Sequence, residues 1–127
     1  MEIYSIDHVQ LAMPAGEEAS ARKFYGGLLG LAEIPKPPVL AKRGGLWFEL
    51  GPVKIHLGVE ADFRAAKKAH PALLLRGLNE LSQRATDAGY KVTPDFELEG
   101  CDRAYIEDPF GNRIEFIELH EPTTKVD

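Results

Sequence analysis

Four side chains of this sequence carry donors that suit a shared metal ion: His8, His56, His70 and Glu115. Imidazole nitrogen and carboxylate oxygen together are the ligand set of borderline first-row divalent ions, Fe(II), Mn(II), Co(II), Ni(II) or Zn(II). Two histidines and one carboxylate leave coordination positions open for water or for paired oxygens on a small substrate. An ion so held acts as a Lewis acid on a carbonyl or an enediolate. One histidine alone on a strand is more often structural than a ligand. What sets these apart is spacing: His56 follows His8 by 48 positions, and Glu115 follows His70 by 45.

Near-equal spacing suggests an internal repeat, and the order of elements supplies one. Residues 3–13 alternate as a strand, with Ile6, His8, Gln10 and Ala12 on one face. Residues 17–29 read as a helix, acidic at its start, with Ala21, Phe24, Tyr25 and Leu28 at helical spacing. A short strand over 31–34 leads into a loop forced by Pro35, Pro37 and Pro38. Strands 45–50 and 53–59 follow, joined at Gly51-Pro52. After a charged, alanine-rich linker the pattern restarts: strand 70–76, helix 77–89, short strand 91–94, then strands 103–107 and 112–119 around the turn Asp108-Pro109-Phe110-Gly111. The tail from Glu121 reads as loose. The expectation is one α+β domain over residues 1–127: a first module over about 1–60, a linker over about 61–69 and a second module over about 70–120.

If the apolar face of each strand carries the helices, the opposite faces converge. That shared face would hold His8, Gln10, His56, His70, Arg103, Tyr105 and Glu115. Strands fix such groups more firmly than loops do.

A chain of 127 residues with 44% apolar content is long enough for one real core. Its net charge of −5 argues against a nucleic-acid partner, which needs clustered cations. No run approaches a membrane span. One cysteine, Cys101, implies no internal disulfide, and no leader is visible, so a cytoplasmic location is expected.

The segments Ile6-Asp7-His8-Val9, Phe24-Tyr25, Leu28-Leu29-Gly30-Leu31 and Asp108-Pro109-Phe110-Gly111-Asn112-Arg113-Ile114-Glu115-Phe116, together with the strand–helix–three-strand repeat, resemble the vicinal oxygen chelate superfamily. That group takes in glyoxalase I, bleomycin-resistance proteins, fosfomycin-resistance thiol transferases and extradiol dioxygenases. The resemblance implies two βαβββ modules forming a cup-shaped mixed sheet, and commonly a homodimer. It implies one divalent metal bound by His8, His70 and Glu115, with His56 at the fourth matching position.

Departures from the family patterns narrow the reading. Microbial glyoxalase I usually has Glu at the fourth position, so here only Glu115 could move a proton directly. Fosfomycin transferases carry Thr two residues after the first His, where this chain has Gln10. Ring-cleaving dioxygenases also use His, His and Glu, but many are longer chains. Arg103 and Tyr105 either bind substrate or pack the cup, and Trp47 forms a cavity wall or a dimer seam. Cys101 has no adjacent base and reads as incidental. The reading is a metal-dependent lyase- or isomerase-like enzyme, or an oxygenase, acting on a small oxygenated metabolite. The alternative is a metal-free small-molecule binder of the bleomycin-resistance type.

Overall fold

A computed structural model of the chain describes residues 1–121, and within them the strands build two four-stranded sheets. The first holds β1 (Val9–Met13), β2 (Ala32–Ile34), β3 (Leu46–Leu50) and β4 (Val53–Val59) in the order β1-β4-β3-β2. The second holds β5 (Ala72–Leu74), β6 (Val92–Asp95), β7 (Cys101–Glu107) and β8 (Arg113–Leu119) in the order β5-β8-β7-β6. In each, the first strand runs parallel to the last and the other pairings are antiparallel. The two sheets therefore repeat one topology, the α+β arrangement of two βαβββ units. β1 and β5 each lie at a sheet edge, and no described strand of one sheet is paired with a strand of the other.

The structure corrects three details. The expected strand over 3–13 begins only at Val9, and residues 1–8 are exposed. The register explains this. β1 runs parallel to β4 with Val9 opposite Ile55, so residues before Asp7 reach past Val53 into the Gly51-Pro52 turn, where no ladder exists. The Pro35–Pro38 stretch is not all loop, because a short helix α2 (Pro38–Ala41) starts on a proline, where the missing N–H costs nothing. The helix expected over 17–29 opens as α1 (Glu18–Ala21) and widens into a π-helix, Arg22–Leu28, with Leu29 N bonded to Phe24 O at 3.0 Å. That segment buries Phe24 and Tyr25 completely, though they are neighbours in sequence. The loose tail expected from Glu121 lies, beyond that residue, outside the described region.

One core joins both sheets. Phe48, Ile55, Leu57, Ile106, Ile114 and Phe116 face inward from the strands, and Leu78, Leu81 and Ala85 from helix α3 (Leu78–Asp87) meet Phe24 and Leu28 there. Phe24 packs edge-on against Tyr90 at 5.0 Å, just after α3. Glu118 on β8 accepts bonds from Gly77 N and Leu78 N, so the sheet itself caps α3.

The turn after β7 adds a polar clamp to this core. Tyr25 donates to Asp108 Oδ2 at 2.7 Å across 83 residues. Asp108 also accepts from Phe110 N, Asn112 N and Asn112 Nδ2, and Asn112 Nδ2 reaches Ala12 O at 2.8 Å. Burial pushes the Asp108 carboxyl up, and the donors from Tyr25, Asn112 and Phe110 pull it back in part. Burial next to that carboxylate raises the Tyr25 phenol, so it stays a donor. Removing one donor from a buried acceptor costs more than an ordinary hydrogen bond is worth. Tyr25→Phe should lower unfolding free energy by about 1–3 kcal/mol in urea titration; a loss too small to measure would mean that the clamp is slack.

Candidate functional site

Strand register assembles the first half of the site. Gln10 on β1, His56 on β4 and Trp47 on β3 lie in one row across the first sheet. Their side chains share a face because residues opposite one another point the same way. His8, two residues before Gln10, returns to that face. The three rings stack: Trp47 on His56 at 4.3 Å and 11°, and His56 on His8 at 4.1 Å and 19°. His56 is buried at the centre of this stack, and Gln10 lies across Gly58, where a Cβ would come within 2.6 Å of its amide nitrogen. Asp7 bonds His8 Nδ1 at 2.9 Å and stands 3.6 Å from Lys54. Burial, with the neighbouring His8 adding to it, holds the His56 imidazole below its usual range and so neutral.

The second half is built on charge. Glu115 on β8 lies opposite Tyr105 on β7. One carboxylate oxygen meets His70 Nε2 at 2.9 Å, and the other accepts from Arg103 at 3.1 Å. Arg103 also donates to Asp95 at 2.9 Å. His70 lies just before β5, with Nδ1 2.7 Å from Lys68 O. A carbonyl and a carboxylate can only accept, so with both contacts made the ring donates from both nitrogens, Nδ1 to the carbonyl and Nε2 to Glu115, and a metal at Nε2 would displace that second proton. Tyr105 packs edge-on to the His70 ring at 5.4 Å. Burial pushes the Glu115 carboxyl up, but the hydrogen bonds from His70 and Arg103 outweigh it and leave the group below the usual carboxylate range. Arg103 Nε is buried without a partner among the described residues, a donor that a bound ligand or water would satisfy.

The structure thus brings the expected residues together as two pairs, His8 with His56 and His70 with Glu115. Gln10 and Trp47 attend the first pair, Arg103 and Tyr105 the second. Among the described residues of one chain, no three His, Cys, Asp or Glu side chains stand close enough to hold a metal together. Cys101 is buried at the start of β7, its Sγ 3.9 Å from Leu98 O. Sequence reasoning missed Asp95, because the pairing of β6 with β7 that sets it against Arg103 leaves no local trace. It also gave no role to Arg113, which the pairing of β7 with β8 sets opposite Glu107.

Comparison with known proteins settles the family. Residues 5–116 match the Glyoxalase/Bleomycin resistance protein/Dioxygenase superfamily, and the chain belongs to it. It is similar to a glyoxalase family protein from Bacillus anthracis, with 49% identity, a TM-score of 0.88, and 94% of this chain and 98% of that one covered. The fold also matches the fosfomycin resistance protein FosX from Listeria monocytogenes, at 14% identity and TM-score 0.76 over 94% of this chain and 97% of that one. A virulence protein from Salmonella typhimurium matches at 22% identity and TM-score 0.67, over 94% and 99%. No curated protein matches. Among the described residues no helix is long and apolar enough to cross a membrane.

Trp47 is the one tryptophan of the chain, so its emission reports on His56. A protonated imidazole quenches a stacked indole by taking charge from its excited state. Because burial lowers the His56 pKa, emission should fall as pH drops through a midpoint below about 6.5. His56→Gln should abolish that transition. The unfolded chain takes up this proton at higher pH than the folded one, so His56 also makes stability decline as pH falls below about 6.5.

Proposed function

We propose that the chain is a metal-dependent enzyme of this superfamily, acting on a small oxygenated substrate at a site completed between two copies of the chain. The observation that carries the proposal is the pairing of donors. Each sheet offers two, at matching places in a repeated topology and next to an edge strand that no other described strand covers. Ile3, Tyr4, Ile6 and Leu74 are 87%, 89%, 77% and 67% exposed, more apolar surface near those edges than a monomer ordinarily leaves in water. Setting β1 of one copy beside β5 of another would cover both edges and bring His8 and His56 to His70 and Glu115. A two-fold axis would make two such sites.

The donor chemistry fits a divalent ion. His70 has Nδ1 tied to a backbone carbonyl, the outer hydrogen bond that fixes a ligating imidazole. Its Nε2 and the Glu115 oxygen beside it would then be the ligands from one copy, with His8 from the other and His56 as a fourth group. A bound ion would supply Lewis acidity toward a carbonyl or paired substrate oxygens. Arg103 holds one oxygen of Glu115 and leaves the other as the atom to ligate or to take a proton. The Trp47–His56–His8 stack would form a flat, water-excluding wall.

Calorimetry with Ni(II), Co(II), Mn(II), Zn(II) and anaerobic Fe(II) tests the metal. At least one should bind tighter than millimolar, and more weakly as pH falls and imidazoles protonate. Glu115→Gln, which removes the anionic donor, should cost more affinity than His56→Ala. If no ion binds, the better account is a metal-free binder using the ring stack as a platform. Mixing tests the shared site: dimers of a His8→Ala chain with a Glu115→Gln chain would carry one intact site. Mixing the two variants should therefore restore metal binding that neither shows alone, whereas a site within one chain would restore nothing.

A further inference from the structure

Beside Glu115, on the same face of the second sheet, lies an open recess of about 340 Å³ whose rim carries Lys67, Lys91 and Arg113. Tyr105 forms its floor next to the metal-binding half-site, and Thr93 and Glu107 line it too. In a chain of net charge −5, three cations against one acid make a local reversal of sign. Lys91 spends part of its charge on Glu107 at 3.4 Å. Arg113 is within electrostatic reach of Asp95, but among the described residues it makes no ion pair and no side-chain hydrogen bond. Its guanidinium lies over the Tyr105 ring at 3.7 Å, a contact that orients the group without using its N–H donors. Arg103, ten residues earlier, is committed to Asp95 and Glu115.

We propose that this recess binds the anionic group of the substrate, a carboxylate or a phosphate, with Arg113 as the principal donor and Lys67 and Lys91 as supporting charges. The proposal rests on the enzymatic reading of the neighbouring half-site and narrows its substrate to small acids. Arg113 and Glu115 are two positions apart on β8, roughly 7 Å along the strand. A molecule reaching both would carry its oxyanion only a few bonds from its reacting oxygens. A planar guanidinium with free donors suits bidentate binding of either oxyanion.

Titration of chelator-treated full-length protein with inorganic phosphate, with acetate and with uncharged acetamide tests this. Phosphate, acetate or both should bind saturably, more weakly at high salt, and acetamide should not bind. Arg113→Gln should weaken binding roughly tenfold, and Lys67→Gln, in the loop, by a smaller factor. Binding of phosphate alone would assign a phosphate-bearing substrate, and binding of acetate a carboxylate. If neither anion binds, or both variants bind like the wild type, the proposal is wrong. Should Arg113→Gln fail to fold, as judged by circular dichroism, Lys67→Gln decides. Ni(II) titration separates the two readings. A protein that binds Ni(II) but no anion overturns only the recess, and one that binds anions but no metal overturns only the metal site. Arg113→Gln should bind Ni(II) like the wild type.

Discussion

The Asp108 carboxylate is the constraint on which the arrangement of the two sheets depends. Four donors converge on it, from the π-helix of the first half, from its own turn and from Asn112, which reaches on to β1. A carboxylate this buried is tolerable only if such partners replace its water. Supplying them fixes Tyr25, the turn and the end of β1 together. The widened helix serves the same end, because it lets Phe24 fill the core while Tyr25, the next residue, turns its hydroxyl to Asp108. The Asp-Pro-Phe-Gly-Asn segment is therefore more than a tight turn between β7 and β8. It ties the second half of the chain to the first.

The two halves solve the burial of functional groups differently. In the second sheet an acid is buried, so it is surrounded: Asp95, Arg103, Glu115, His70 and the Lys68 carbonyl form one chain of charge and hydrogen bonds. Each member fixes the next, which holds the Glu115 oxygens in place before anything binds. In the first sheet the matching strand position is His56, and a neutral ring can be buried by stacking alone. One half is therefore ionic at its buried centre, the other a ring stack around a neutral imidazole, and Glu115 is the only anionic donor of the four.

Much of this was legible in the sequence because side chains alternate along a strand. Period two put His56 opposite in sense to Ile55 and Leu57, and Glu115 on the face of Arg113, before any strand partner was known. The repeat in element order supplied the topology. What failed was whatever depended on a partner. Residues 3–6 have the alternation of a strand, but β4 starts too late to pair with them. The π-helix escaped because its apolar positions also satisfy ordinary helical spacing. The four expected metal donors are not among these failures: one chain sets them as two pairs on two sheets whose edges β1 and β5 do not pair among the described strands, and a second copy would join them.

Arg103 and Arg113 show why residue type and face do not by themselves assign a role. Both are arginines beside Tyr105, one on β7 and one on β8, and both look onto the face that holds Glu115. Arg103 lies among acids, between Asp95 and Glu115, and its charge is neutralised by the protein that surrounds it. Arg113 lies over an aromatic ring, opposite Glu107 in register and within electrostatic reach of Asp95, but among the described residues no ion pair or side-chain hydrogen bond takes up its donors. A cation of the first kind steadies a neighbouring carboxylate. One of the second kind, held over a ring with its N–H donors free, is open to an anion that arrives from outside.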